Sequence, residues 1–297
     1  MERVKPLRET WCTSLIRALC KRWPFPRGRG ALLRLFRPHL RHKGFLVEVE
    51  PGLVFRADLS DYVHYWCFSG EHEKDANFQL SLSLIRPGDT ILDVGANIGL
   101  WAMAAAKRAG DAGNIHAFEP VPHNFDLLRQ NFALNNLDSS CCRQLALADR
   151  CGTSVIYAAS NGNCGAARLM RLDGVDTPVE TALVTLDHYC EEHGVDRVDF
   201  MKVDVEGAEI LVFRGGRSLL SSPEAPAIMF EVSKKLLQGF ADSVAVKSVL
   251  YDYGYDIYRL AGRVLERVGP NETHDFVDLF AFKPFHFRRH QLLKRLQ

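Results

Sequence analysis

The sequence contains no run of about 18 or more consecutive apolar residues, which excludes a segment that crosses a bilayer as a single helix. Its eight cysteines include no C-x-x-C pair and no zinc-like spacing with histidine, so they read as reduced thiols rather than a disulfide framework or a metal knuckle. A secretory leader is not expected at its start. The chain starts basic, but Arg17 and Lys21 interrupt the first apolar stretch and no small-residue cleavage site follows. A cytoplasmic location is the expectation from these features. No internal repeat is visible, and G-x-G-x-x-G, the phosphate-cradling fingerprint of dinucleotide binders, does not occur after any strand-like run.

What is present is ordinary globular material: 297 residues, 47% hydrophobic and 25% charged, enough for one main core with appendages. A net charge of +1 conceals an uneven distribution. Residues 1–43 hold 12 Lys and Arg against 2 Glu, and residues 283–297 add five bases and no acid, which leaves 44–282 at −14. Basic ends of this kind read as solvated tails. They also suit peripheral contact with an anionic membrane surface, and nucleic acid is the weaker partner expectation.

Along the chain, 1–43 is a basic helical extension, with Trp11, Leu15, Ala18 and Leu19 at helical spacing before a Pro/Gly/Arg-rich break. A lead-in segment spans 44–88: two extended runs within 45–68 flank the turn-like Glu50-Pro51-Gly52, and a helix is expected over Asp75 to Leu84. From 89 to 284, short apolar runs alternate with helical patterns, which predicts an α/β domain with a doubly wound, mostly parallel sheet covered on both faces. Strands are expected at Thr90–Val94, Asn114–Glu119, Cys142–Leu147, Val198–Val203, Ala227–Val232, Tyr255–Leu260 and Phe276–Phe282. Helices are expected at Asn97–Arg108, Pro122–Asn135, Leu186–Glu192, Gly207–Leu220 and Ser243–Tyr253. Thr153 to Thr185 departs from this rhythm and reads as an inserted hairpin around an Asn/Gly/Cys-rich loop, Ser160 to Gly165. Residues 285–297 read as a basic tail.

The first strand, Ile91-Leu-Asp-Val94, runs into Gly95-Ala-Asn-Ile-Gly99 and then a helix of small residues, the order that builds a ligand cradle. Gly95 serves a tight turn and Gly99 the packing of the helix on its strand. Asp93 at the strand end would repel a pyrophosphate and attract a cation, so S-adenosylmethionine, with an ammonium and a sulfonium, fits better than a dinucleotide. Glu119 ends the second strand about 20 residues later, the offset at which an acid accepts hydrogen bonds from ribose hydroxyls.

Asp93-Val-Gly-Ala-Asn-Ile-Gly99, Ala117-Phe-Glu-Pro120, Asn131 to Asn136, Ala146-Leu-Ala-Asp149, Thr185-Leu-Asp187 and Lys202-Val-Asp-Val-Glu-Gly-Ala-Glu209, in that order, resemble the FkbM family of methyltransferases. The resemblance covers roughly Glu73 to Lys283. It implies a class I (Rossmann-like) S-adenosylmethionine fold of seven strands with the last antiparallel, and methyl transfer to a hydroxyl of a small molecule, sugar, glycolipid or polyketide. By position, the resemblance assigns Asp93, Gly95, Asn97 and Gly99 to the methionine part, Glu119 to the ribose, and Ala146 and Leu147 to the adenine, with Ala96, Pro120 and Asp204 as further cofactor-binding residues. It also makes Glu73 a residue that closes over the cofactor, against a plain reading as an exposed helix-start acid.

Methyl transfer is an in-line displacement that needs alignment of the acceptor oxygen and a route for its proton. Asp204 at the end of the fourth strand, Glu206 just after it and Glu231 at the end of the fifth are the candidate catalytic acids; Lys202 is a partner for one of them. Glu206 and Glu209 are expected three apart on one face of a helix's first turn, where acids also serve simply as caps. No metal site is assigned, since spacing across separate strands does not define oxygen-ligand geometry. His123 after the Glu119-Pro turn reads as a surface histidine. A nicotinamide dehydrogenase would share the strand pattern, but the loop spacing and Asp93 oppose it. A nucleic-acid methyltransferase would use the basic ends, but Asp204-Val-Glu-Gly207 lacks the proline and aromatic clamp of base-amino methylases.

Overall fold

In the computed structural model the described residues are 15, 17–19, 45–57, 62–111, 113–159, 167–168, 176–232, 242–274 and 276–296. Most of the basic N-terminal extension, with the membrane-surface expectation attached to it, and the Ser160 to Gly165 loop lie outside them. No helix among the described residues is long and apolar enough to cross a membrane. The described cysteines, Cys67, Cys141, Cys142, Cys151 and Cys190, are free thiols.

The lead-in opens with the antiparallel hairpin β1 (Phe45–Glu50) and β2 (Leu53–Ala57), closed through Gly52 at φ 72°. The rest of the expected extended run is instead helix α1 (Tyr62–Ser69). Its β-branched and aromatic residues are mediocre helix formers, but the helical turn buries Cys67 and Phe68 completely, and that packing overrides local preference. Helix α2 (Ala76–Ser83) follows, with the Asp75 carboxylate accepting from Phe78 N at 2.9 Å as its N-cap.

Among the described residues the main sheet has eight strands. In spatial order they are β13 (Val264–Arg267), β12 (Asp256–Ala261), β14 (Val277–Phe282), β11 (Ala227–Val232), β10 (Phe200–Val203), β3 (Thr90–Val94), β4 (Asn114–Phe118) and β5 (Cys142–Arg143). From β11 to β5 every pairing is parallel, while β14 runs antiparallel between β11 and β12. This is the class I order with its reversed last strand; β13, an edge hairpin on β12, is the strand that the sequence reading did not anticipate.

Alternation along each strand sends neighbours to opposite faces, and both faces are covered. Ile91, Phe200, Met229 and Phe280 pack with the lead-in helices, α3 (Leu100–Ala109) and α4 (Pro122–Leu134). Leu92, Met201, Ile228 and Leu279 pack on the other side with α5 (Leu186–Glu192), α6 (Glu209–Gly215) and α8 (Ser243–Asp252).

Three expectations are corrected. The strand expected at Cys142–Leu147 is two: β5 stays in the main sheet, while β6 (Ala146–Ala148) joins a second sheet of order β6-β9-β7-β8. The inserted hairpin is β7 (Gly152–Ala159) against β9 (Asp176–Thr185), with the short β8 (Ala167–Arg168) on its edge. The helix expected over Gly207–Leu220 is likewise α6 and α7 (Arg217–Ser221), parted at Gly215-Gly216. A Cβ on Gly215 would lie 2.0 Å from the Ala148 carbonyl oxygen, so the break sits where this helix crosses β6 at backbone contact.

The basic C-terminal tail is the third. It folds as α9 (Pro284–Arg289) and α10 (Gln291–Arg295), burying Leu293, and Arg289 pairs with Asp89 and Asp199 at the lower end of the sheet.

Candidate active site

β3 ends in a turn whose geometry admits little but its own residues. Gly95 has φ 85°, and a Cβ there would lie 1.9 Å from the Asp204 carbonyl oxygen, so only glycine lets β3 and β10 approach this closely. Gly95 N and Ala96 N both donate to the Phe118 carbonyl at 3.0 and 2.8 Å, which ties the turn to the end of β4. Gly99, at φ 91°, meets a different neighbour from the one expected: its Cβ would fall 2.5 Å from Leu128 Cδ1, so it makes room for α4 rather than for the strand. The fully buried Asn131 of α4 donates to the Ile98 carbonyl at 2.8 Å and accepts from Arg56 N at 2.9 Å, which joins the turn, α4 and the lead-in hairpin.

Asn97 holds φ 50°, a left-handed conformation uncommon outside glycine, and its backbone N donates to Glu119 Oε2 at 2.9 Å. The other Glu119 oxygen accepts from Val121 N at 2.9 Å. Burial pushes the Glu119 carboxyl up to about 7 despite these donors. A carboxylate accepts about four hydrogen bonds, so Glu119 keeps capacity for a further donor from the cavity side.

Asp93 is fully buried, and neither of its oxygens has a hydrogen-bond partner among the described residues. Lys202, its register partner on β10, sits with Nζ at 3.7 Å, an ion-pair distance but long for a hydrogen bond. Burial raises Asp93 to about 6 against the pull of Lys202. Asn97 Oδ1 is a third buried acceptor without a partner in the same turn. Such groups are costly to leave unmet, and here they gather around one glycine turn.

Beyond the turn the acids continue across the sheet. Asp204 follows β10 and accepts from Lys202 Nζ at 3.0 Å. Glu231 on β11 stands directly opposite Asp278 on β14. Desolvation, then the neighbouring charges of Asp204, Glu206, Asp278 and Glu209, push Glu231 up to about 9; burial and Asp204 raise Asp278 to about 6. Among the described residues no three His, Cys, Asp or Glu side chains are grouped so as to hold a metal ion.

A cavity of about 580 Å³ collects these groups at the carboxyl ends of the parallel strands, where ligands bind in open α/β sheets. The FkbM methyltransferase domain model matches residues 93–257, more than half of the chain. The chain belongs to the FkbM methyltransferase family. It is 28% identical to the 31-O-demethyl-FK506 methyltransferase FkbM of Streptomyces tacrolimicus, over 44% of this chain and 60% of that protein. It is 29% identical to methyltransferase sdnD of Sordaria araneosa (57% and 74%) and 30% identical to the 2-O-methyltransferase NoeI of Sinorhizobium fredii strain NBRC 101917 / NGR234 (48% and 63%). The chain thus spans less than two thirds of the first of these relatives.

In this FkbM-family chain Asp93, Gly95, Ala96, Asn97, Glu119, Pro120, Ala146, Leu147, Asp204, Glu206 and Glu231 all line the cavity. Gly99 shapes the turn from behind it. Glu73 is exposed in the turn before α2 and does not line the cavity; Asp75, two residues on, does. Glu206 and Glu209 do not share a helical face as expected. Glu206 precedes the helix at φ 55°, whereas Glu209 is buried and turns its carboxylate back to accept from Val205 N and Gly207 N at 3.2 and 3.1 Å. The Thr185-Leu-Asp187 motif is structural: Asp187 accepts from Ser218 N and Leu219 N at the start of α7.

The sequence reading missed Asp278 and the apolar wall of Trp66, Phe78, Met229 and Phe276. Asp278 carried a usable signal, as the one charge in the apolar run Phe276-Val-Asp-Leu-Phe-Ala-Phe282. The wall did not, because its residues come from separate elements that only the folded chain brings together.

Proposed function

We propose that this protein transfers the methyl group of S-adenosylmethionine to a hydroxyl oxygen of a small-molecule acceptor. The observation that carries the cofactor assignment is the trio of buried, unpartnered acceptors at the glycine turn, Asp93 Oδ1 and Oδ2 and Asn97 Oδ1, which suits a ligand that brings an ammonium and opposes one that brings a pyrophosphate. In this reading Asp93, Gly95, Ala96 and Asn97 hold the methionine end. Glu119, next to Pro120, accepts from the ribose, and Ala146 and Leu147 bound the adenine.

When bound, the cofactor supplies an electrophilic methyl carbon. The chain's own residues align the acceptor and take up its proton. Asp204 is the residue for the proton, because it borders the glycine turn and is partly exposed to the cavity. Glu231, at about 9, holds its own proton at neutral pH and has no room for a second. The acceptor's hydroxyl chemistry is supported by the relatives named for O-methylation, FkbM and NoeI.

Calorimetric titration with S-adenosylmethionine and, separately, NAD tests the cofactor. Saturable binding of the first and none of the second is expected. NAD binding without a response to S-adenosylmethionine would overturn the reading in favour of a dehydrogenase.

A further inference from the structure

Lysine is rarely buried, yet Lys202 stands within the main sheet with its side chain only 13% exposed. Its register partners are Asp93 on β3 and Met229 on β11. Asp204 N still donates to the Val94 carbonyl at 2.9 Å, so strand alternation continues past β10 and puts Lys202 and Asp204, two residues apart, on one face. Nζ consequently lies 3.0 Å from Asp204 Oδ2 and 3.7 Å from Asp93 Oδ1. Burial alone would strip the proton from this lysine, and the two carboxylates hold it on. An apolar side chain of similar volume would fill the position without that desolvation cost, so stability does not account for a cation here.

The two carboxylates are not equivalent. Asp93 is fully buried at the glycine turn and its distance from Nζ exceeds a hydrogen bond, whereas Asp204 is 39% exposed and makes the shorter contact. An ammonium carries three donors, so one lysine serves both acids, but it holds the buried one by charge alone. The neighbouring groups leave this division standing. Glu231 on β11 keeps its proton at neutral pH, and Asp278 on β14 adds to the pull on Lys202 while receiving Asn77 Nδ2 at 3.2 Å. Asp75 caps α2, Glu206 precedes α6, and Glu119 accepts from Asn97 N and Val121 N. Arg150, the other cation on the cavity wall among the described residues, pairs with Asp149 at 3.3 Å.

We propose that Lys202 is a positioning residue that hands over between two partners: it neutralises Asp93 until the ammonium of S-adenosylmethionine takes that place, and then serves Asp204 alone. The inference rests on the methyl-transfer reading above. Neither Asp93 oxygen has a hydrogen-bond donor among the described residues, so a ligand ammonium supplies what Lys202, at 3.7 Å, does not. Two cations at one carboxylate repel each other, and Lys202 relieves that repulsion by closing on the carboxylate it already touches. The Asp204 carboxylate is thereby fixed in orientation only once the methyl donor is in place, which puts cofactor binding ahead of acceptor alignment.

The probe is S-adenosylhomocysteine, which keeps the ammonium and carries no sulfonium charge to act on Asp204 directly. Calorimetry between about pH 5 and 8 should show affinity falling as pH drops through about 6, where Asp93 takes up a proton. Lys202→Met should move that bend upward by about one to three on the pH scale, the usual effect of an opposite charge within about 4–6 Å, and Lys202→Arg should return it toward its original place. Glu119, at about 7, adds a bend common to every variant, so the difference between variants is what is read. Asp204→Asn leaves Lys202 no second partner and should weaken binding severalfold at pH 8; the same substitution made on Lys202→Met should leave affinity unchanged. Lys202→Gln carries the test if circular dichroism shows that Lys202→Met does not fold. A merely structural lysine would lower the melting temperature without moving the bend. An unmoved bend in the folded variant, or equal effects of Asp204→Asn in both backgrounds, overturns the hand-over while leaving methyl transfer standing. Failure of the wild-type protein to bind either S-adenosylhomocysteine or S-adenosylmethionine overturns the cofactor reading, and the hand-over with it.

Discussion

Asp204 and Glu231 are both acids at strand ends, and the sequence offers no reason to prefer one. Their surroundings separate them. Asp204 is held by Lys202 at 3.0 Å and borders the glycine turn, whereas Glu231 sits among Asp204, Glu206 and Asp278 and keeps its proton up to about pH 9. Asp204→Asn keeps the size and much of the hydrogen bonding but loses the charge. Turnover should therefore fall about a hundredfold in a folded protein. Single-turnover rates and calorimetry on the same variant divide its role: loss of rate with affinity intact marks a proton acceptor, and parallel loss of both marks an anchor for the sulfonium end. Near-wild-type turnover would remove Asp204 from the site.

At the scale of the element, the β3–α3 turn is held by two glycines with the same left-handed backbone and different neighbours. The neighbour of Gly95 is main chain, the Asp204 carbonyl 1.9 Å from an added Cβ; that of Gly99 is the end of the Leu128 side chain at 2.5 Å. A carbonyl fixed in a parallel sheet cannot step aside, but a leucine methyl can rotate. Both substitutions to alanine incur backbone strain, on the order of 1–3 kcal/mol. Gly95→Ala should in addition displace Asp204 and abolish cofactor binding, while Gly99→Ala should lower the melting temperature and leave binding measurable. Equal losses of affinity in the two variants would show that strain alone, and not the β3–β10 approach, shapes the cradle.

For the whole molecule, the buried acids set the pH response. Glu231 has an ordinary value of 4.5 and about 9 in the fold, so between these pH values the folded state binds more protons than the unfolded one. Its contribution is fully present below 4.5 and is lost as pH rises through about 9. Glu119 and Glu209, both raised to about 7, act in the same direction at the lower end of that window. His116 and His290, lowered by burial to about 4, oppose them, but only below about pH 6.5. The melting temperature of the ligand-free protein should consequently decline from pH 7 to 9, and Glu231→Gln should flatten that decline. An unchanged slope in the variant would show that Glu231 is not the group responsible.

Much of the architecture was legible because its causes are local. Apolar runs buried on both faces marked the parallel strands, a strand–glycine–helix sequence marked the glycine turn, and the order of the motifs carried the family, so Asp93, Asn97, Glu119 and Asp204 could be expected at the strand ends and turn where one cavity collects them. Packing decided the rest. Tyr62–Ser69 became a helix because that conformation buries Cys67 and Phe68, and the third strand broke because Ala146–Ala148 found a partner in β9, 37 residues further along at Leu183. Glu73 yielded its expected place to Asp75, a difference of two residues that only the path of the turn before α2 resolves. The Glu231–Asp278 pairing depends on β14 entering the sheet in reverse between β11 and β12, and strand register is a property of the assembled sheet. Local pattern is enough to put Asp93, Glu119, Asp204 and Glu231 at strand ends, because a strand's end is a property of its own residues; Asp278 and the apolar wall join them through long-range pairing and packing, which also set which of these acids carry a charge.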